Sequence, residues 1–233
     1  MKTSGGSDAA KRRAGQSAAD TVGGGDVVGL GTGSTAAHAI RAIGDRIDAG
    51  LDVRGVATSF ASRELALDVG IPLLDLDEAV GPDAPGIDVA VDGADQVADT
   101  DLIKGGGAAH AREKIVDAAA DRFLVVADRS KLSATLDRPV PAEVLPAARE
   151  PAAAAVRGLG GDPALRRAAR KDGPVVTDNG NLVLDCDFGE ITDPERLATA
   201  LSTTPGLVEH GLFVDLADEI HVGTVDGVRI ERP

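Results

Sequence analysis

Short apolar runs alternate with helix-spaced segments along the first 130 residues or so. Val27-Val28-Gly29-Leu30 is one such run, and Val53 to Ala57, Ile71 to Leu74, Ile87 to Val91 and Phe123 to Ala127 repeat it. Runs of this length with no polar alternation fit strands buried on both faces. Between them, Ser7 to Val22, Ser59 to Val69, Ala108 to Ala120 and the stretch running toward Ile47 read as helices. Gly23-Gly24-Gly25 stops the first of these, because consecutive glycines cannot propagate a helix cheaply. Ser34 or Thr35 is placed to cap the second. The alternation predicts the α/β class, with a mostly parallel sheet covered by helices on both faces. In such sheets ligands collect beyond the carboxyl ends of the strands, which here means after Leu30, Ala57, Val91 and Ala127.

The pattern changes from Pro139. Prolines recur at 139, 141, 146 and 151, and Glu150 to Leu159 then reads as an Ala-rich helix. Val175 to Thr177 and Leu182 to Phe188 flank an Asn-Gly turn and predict a hairpin. Leu182, Leu184, Cys186 and Phe188 share one face of its second strand, which makes Cys186 a buried apolar filler. Asp193 to Leu201 is a capped helix with Pro194 at its first position. The expected organisation is a main domain of residues 1–134 and 208–233, with 135–207 as a small α+β domain. The tail from Leu207 to Ile230 is expected to return strands to the main sheet, and Met1 to Gly6 reads as a loose end.

Composition narrows the function classes. The 233 residues are 43% hydrophobic, enough for a core, and no apolar run approaches the length of a membrane span. No secretory signal is legible at the start and there is one cysteine, so a cytoplasmic protein without a disulfide framework is expected. Thirty-eight acids against 24 bases leave a net charge of −14, which disfavours a nucleic-acid partner. The acids are 28 Asp and 10 Glu, and only 6 of the bases are Lys. With so few aromatics, this balance suggests a surface adapted to high salt.

Four loops carry candidate chemistry. Gly29 to Thr35, between a strand and a helix, offers backbone N–H groups and the hydroxyls of Thr32, Ser34 and Thr35 around Gly33, an anion cradle suited to phosphate. It matches neither the dinucleotide glycine pattern nor the Walker loop. Asp92-Gly93-Ala94-Asp95 places two carboxylates three positions apart after a strand, one suited to proton exchange and the other to positioning a lysine. Lys104 precedes Gly105-Gly106-Gly107, where backbone can approach a ligand closely while the ammonium stabilises a developing oxyanion. Glu113, on the following helix, is a candidate general base. Asp128 to Lys131 brings a scarce lysine to another strand end, suited to phosphate. The four histidines have no metal-ligand spacing, so neither metal nor cofactor is expected; His110 flanks the glycine run but reads more simply as a buried structural side chain.

Together these segments resemble the A-type ribose-5-phosphate isomerases. The matching stretches are GLGTGSTA at 29–36, ATS at 57–59, VDGAD at 91–95, IKGGGAA at 103–109, REK at 112–114 and DRSK at 128–131. PVPAEVLP at 139–146, VTDNGNLVLD at 176–185 and PGLVEHGLF at 205–213 complete the series. The resemblance implies a Rossmann-like main domain and interconversion of ribose 5-phosphate and ribulose 5-phosphate through an enediolate, within the pentose phosphate network. It implies that Glu113 moves the proton between C1 and C2, that Asp92 serves ring opening and oxygen protons, and that Lys104 with Asp95 stabilises the oxyanion. Thr32 to Thr35, Gly93, Ala94, Gly105 to Gly107 and Lys131 match substrate-binding segments, and Lys11 corresponds to an N-terminal lysine that reaches the phosphate. It implies a homodimer or homotetramer and no metal. Gln96 stands where the family often has Glu, and His110 and Ala111 depart from its usual residues. Two rivals share parts of this pattern: a sugar-phosphate sensor domain without catalysis, and a coenzyme A transferase-like enzyme. Glu113, Asp92 and Lys104 together argue against the first, and the short chain argues against the second.

Overall fold

The computed structural model describes residues 6–232, so the loose end expected at Met1 to Gly6 lies, except for Gly6, outside the described residues. In chain order the elements begin α1 (Asp8–Ala19), β1 (Val27–Leu30), α2 (Ser34–Asp48), β2 (Arg54–Ala57), α3 (Phe60–Asp68), α4 (Leu76–Ala79) and β3 (Val89–Gly93). There follow β4 (Gln96–Ala98), β5 (Asp101–Ile103), α5 (His110–Ala119), β6 (Phe123–Asp128) with a 3-10 turn at Arg129–Lys131, β7 (Val140–Val144), α6 (Arg149–Gly158) and β8 (Asp162–Leu165). The last are β9 (Leu182–Asp187), α7 (Pro194–Ser202), β10 (Leu207–His210), β11 (Leu212–Phe213), β12 (Glu219–Gly223) and β13 (Val228–Glu231).

The chain divides into two compact units. Among the described residues, one holds 6–94, Arg112–Leu132 and 216–232; the other holds Asp95–Ala111 and Ser133–Asp215. The first contains a six-stranded sheet in the order β13-β12-β6-β3-β1-β2, parallel except for β13. Val28 and Leu30 pack with Ala14 and Ala18 of α1 and Ile40 and Ile43 of α2. Their neighbour Val27 packs the other way, with Ala79 of α4 and Val116 of α5. Period-two alternation of buried aliphatics thus feeds two helical layers, each buried side chain contributing about 1.5–3 kcal/mol. This is the α/β sheet the apolar runs predict.

The second unit holds a four-stranded antiparallel sheet in the order β10-β7-β9-β8, a three-stranded sheet in the order β11-β5-β4, and the helices α6 and α7. Ile103, Val140, Val144, Val156, Leu184, Cys186 and Leu201 form its core. Where the sequence reading set 135–207 apart, this unit also takes in Asp95–Ala111 and reaches Asp215, since β5 pairs with β11.

Several elements depart from expectation. Ile71 to Leu74 makes a single bridge, Gly55 to Leu73, because Pro72 has no N–H to extend a ladder. Gly33 is the residue before α2 and no side chain caps that helix, so neither Ser34 nor Thr35 plays the expected part. The hairpin's first strand is absent: Val176 only bridges Leu182, and β9 pairs instead with β7 and β8. Of the tail, β12 and β13 join the main sheet, whereas β10 and β11 belong to the second unit.

Burial pushes the Cys186 thiol up to about 12, with the Asp185 charge adding to the effect. The native protein is therefore expected to resist a thiol-reactive dye at pH 8, with labelling tracking denaturant-induced unfolding. Rapid labelling without denaturant would contradict this burial.

A second buried group sets an acid limit on stability. His221 on β12 is fully buried, with Nδ1 2.9 Å from Ser17 Oγ and Nε2 3.4 Å from Glu219 Oε2. Burial pulls its pKa below the usual histidine value, against the opposing pull of Glu219. For Glu219, burial would raise the carboxyl, but the Arg122 hydrogen bond and the Arg232, Arg122 and His221 charges outweigh it and hold the group below 4.5. Both folded-state values are depressed, so both groups contribute stability above their unfolded values and lose it as pH falls. The melting temperature is expected to drop as pH is lowered from about 6.5, and His221→Gln to flatten that slope between pH 7 and 5. Identical slopes in the two proteins would remove His221 from the account.

Candidate active site

In the first unit, the loop after β1 is built around Asp92. The Asp92 carboxylate is fully buried, and its Oδ1 accepts from the Thr32 N–H at 2.8 Å and the Gly93 N–H at 2.6 Å. The approach is so close that a Cβ on Gly31 would collide with that carboxylate, which explains the residue there. Thr32 Oγ1 lies 2.7 Å from Ser59 Oγ and 2.9 Å from Thr58 Oγ1. Thr58 and Ser59 follow β2, and Ser59 also caps α3 through a reciprocal box with Ser62. Three hydroxyls thereby gather at the ends of two adjacent parallel strands. Ser34 is exposed and Thr35 is buried, both in the first turn of α2, whose free N–H groups favour an anion.

Glu113 sits in the first turn of α5 with 3% exposure. Its neighbour Arg112 donates from Nε to the Ala57 carbonyl at 2.9 Å, tying α5 to the end of β2. Lys131, only 8% exposed, ends the 3-10 turn after β6, a turn that Asp128 caps through the Ser130 N–H. Lys11 is half-buried on α1.

In the second unit, Lys104 follows β5 and is 2% exposed, with Nζ 5.2 Å from the centre of the Phe213 ring. That spacing suits a cation–π contact, and the low exposure keeps the ammonium largely out of water. The Lys104 N–H donates to the Gly211 carbonyl at 2.8 Å, and a Cβ on Gly211 would collide with the Lys104 carbonyl. Asp95 accepts the Gly106 N–H at 2.6 Å and donates its own N–H to Ile103. Gly105 is buried and Gly107 exposed.

The sequence reading gives Asp92 and Asp95 different tasks, proton exchange and the positioning of a lysine; in the structure Asp92 braces the Thr32 loop and Asp95 braces the glycine run after Lys104. Gly93 and Ala94, between them, are half-buried. The departure at Gln96 also has an explanation: its amide donates to Asp137 Oδ1 and the Thr135 carbonyl and accepts from the Asp137 and Arg138 N–H groups. A Glu would lack the donors and set a carboxylate against Asp137. His110 is fully buried, with Nε2 3.3 Å from the Glu209 carbonyl, in keeping with the structural reading. Thr58, Ser59 and Arg112 were not singled out from the sequence, although the strand-end rule points at the segment after Ala57.

Within the first unit, the buried carboxylates of Asp92 and Glu113, the buried Lys131 ammonium and a hydroxyl-lined glycine loop are groups that can move protons and hold an anion. Among the described residues, no group of three or more His, Cys, Asp or Glu is placed to hold a metal ion.

The family model for ribose 5-phosphate isomerase A (phosphoriboisomerase A) matches residues 54–227. The chain belongs to this family. The Halorubrum lacusprofundi ribose-5-phosphate isomerase A is 74% identical, with both chains covered completely. The Haloarcula marismortui ribose-5-phosphate isomerase A is 69% identical over 97% of this chain and 96% of its own. The haloarchaeal source of these relatives agrees with the salt adaptation read from this chain's composition. Among solved structures, ribose 5-phosphate isomerase A from Methanocaldococcus jannaschii superposes with a TM-score of 0.90 at 43% identity, covering 96% of this chain and 98% of that one. A D-ribose-5-phosphate isomerase in complex with phospho-erythronic acid gives 0.91 at 40%, with the same coverage. The family assignment therefore rests on near-complete chains rather than on a shared motif.

Proposed function

We propose that this chain interconverts D-ribose 5-phosphate and D-ribulose 5-phosphate as an aldose-ketose isomerase. One observation carries the reading: in a member of this family, Asp92, Lys104 and Glu113 are all retained and all at least 97% withdrawn from solvent. Proton transfer next to a carbonyl needs a base that water does not level and a cation where negative charge develops. Glu113 takes the proton from C2 of the open-chain aldose and returns it to C1 of the enediolate. Lys104, its loop braced by Asp95, stabilises the charge on the sugar oxygen. Asp92 exchanges protons at the sugar oxygens, including ring opening. Thr32 to Thr35 and Lys131 take the phosphate, with Lys11 assisting, and the backbone of 93–94 and 105–107 lines the sugar. Holding the phosphate away from the reacting carbons directs binding energy to their alignment. The relative solved with phospho-erythronic acid supports a phosphorylated sugar acid or sugar as the ligand class.

The chain acts as a homo-oligomer in this reading. Among the described residues no helix is long and apolar enough to cross a membrane. A catalytically silent sensor is disfavoured by the three retained proton and charge carriers. The test is to incubate the purified protein with ribose 5-phosphate in concentrated KCl and follow ketose formation. Steady production of ribulose 5-phosphate supports the proposal, and binding without turnover would favour the sensor.

A further inference from the structure

The glycine run after Lys104 has no side chains with which to anchor itself, so its shape depends on hydrogen bonds from elsewhere. Two of these lie close in sequence or in the matching motifs: Asp95 on the Gly106 N–H, and Gly211 on the Lys104 N–H. The third comes from 61 positions away. Arg166, the residue after β8, donates from Nη1 to the Gly105 carbonyl at 2.8 Å. Its remaining fork is occupied by Asp185 on β9: Nε lies 3.0 Å from Oδ2, and Nη2 also bonds Oδ1. The Arg166 side chain is only 10% exposed. A guanidinium held on a carboxylate by two of its nitrogens has little freedom left in the third, which here is aimed at the carbonyl of the residue that follows Lys104.

The strand carrying Asp185 is itself fixed. Glu143 on β7 is fully buried, and its Oε1 gathers Thr177 Oγ1 at 2.9 Å, Asn179 Nδ2 at 3.0 Å and Asn181 Nδ2 at 2.8 Å. That carboxylate sets the turn leading into β9. At the other end of the glycine run Ala108 has φ +62°, a conformation that persists only where its surroundings over-determine it. Its N–H donates to the same Gly105 carbonyl at 3.0 Å.

We propose that Arg166, oriented by Asp185, is a positioning residue for the reaction: it fixes the Gly105 peptide and thereby the placement of the Lys104 ammonium. The inference rests on the role given to Lys104 above. Arg166 touches no reacting atom in this reading and acts only through the loop.

The test measures kcat and KM for ribose 5-phosphate, with melting temperatures, for Arg166→Gln, Arg166→Lys and Asp185→Asn in concentrated KCl. Misplacement of a charge-stabilising group by about 1 Å can cost on the order of 10²-fold, so Arg166→Gln is expected to lose about that much in kcat with KM nearly unchanged. Arg166→Lys keeps the charge but not the planar fork, and is expected to recover only part of the loss. Asp185→Asn is expected to fall between wild type and Arg166→Gln. In Arg166→Ala, added guanidinium ion well below denaturing concentration is expected to restore part of kcat, as tetramethylammonium is not. A folded Arg166→Gln with wild-type kcat overturns the proposal, as does a loss confined to KM. If Arg166→Gln does not fold, Arg166→Lys carries the same comparison; unfolding of both assigns the residue to the fold alone and overturns the proposal. Wild-type turnover and Lys104→Met, run alongside, keep this outcome separate. An inactive wild type or a fully active Lys104→Met indicts the underlying functional reading, whereas active wild type, impaired Lys104→Met and unimpaired Arg166→Gln indict only the positioning role.

Discussion

Glu113→Gln is expected to lower kcat by about 10³-fold while the protein still folds and still binds ribose 5-phosphate, because a positioned proton carrier contributes roughly 10²–10⁴-fold. The substitution replaces one carboxylate oxygen with an amide nitrogen and changes volume hardly at all. An amide cannot take the C2 proton, so the loss falls on the chemical step. Glu113 is 3% exposed in the first turn of α5, where a helix tolerates either side chain. Ketose formation at saturating substrate, calorimetric binding of ribose 5-phosphate and a melting curve separate the three quantities. Turnover within tenfold of wild type would remove Glu113 from the mechanism.

Lys104→Met should cost about 10²–10³-fold in kcat, the usual range for removing one oxyanion-stabilising group. Methionine keeps an unbranched apolar stem against Phe213 and loses the charge with its N–H donors. A melting curve run alongside separates loss of the charge from loss of the fold. A decisive companion measurement is the affinity for a carboxylate analogue of the enediolate, which should weaken by a factor similar to the kcat loss if Lys104 binds the charge that develops during the reaction. Full affinity for that analogue would place the ammonium elsewhere.

β1 and β6 were the most legible strands of the main sheet because they are buried on both faces, leaving runs almost free of polar residues. β6 matches its expected run to within one residue, and β1 begins and ends where Val27 to Leu30 does. What was missed has no such signal. β4 and β5 are three residues each, and β8 carries Pro163 on the edge of its sheet, where a missing donor costs nothing. β7 hid behind Pro141, which sits in a central strand. The converse error, Val175 to Thr177 read as a strand, came from β-branched residues whose hydrogen bonds are divided: the Val175 N–H goes to the Arg166 carbonyl, Val176 makes one bridge to Leu182, and Thr177 serves the turn around Asn179 and Gly180. For the site, residue type and strand-end position were enough to single out Asp92, Lys104, Glu113 and Lys131. They could not reveal that Asp92 and Asp95 brace different loops, because three-residue spacing carries no information about which backbone each carboxylate meets. Nor could they find Arg166, whose contact with Gly105 spans 61 positions without any local pattern.

The order β13-β12-β6-β3-β1-β2 has a consequence for synthesis on the ribosome. β12 seals β6 but comes long after it in the chain, and Gly223 at its end lies against Ala10 of the first helix. Until residues 219–223 clear the exit tunnel, the nascent chain carries an open β6 edge, apolar from Phe123 to Ala127, and a first helix lacking part of its seat. Vectorial folding from the N-terminus therefore cannot complete this sheet. A message truncated before codon 219 would yield a chain prone to edge-to-edge association rather than a smaller working enzyme.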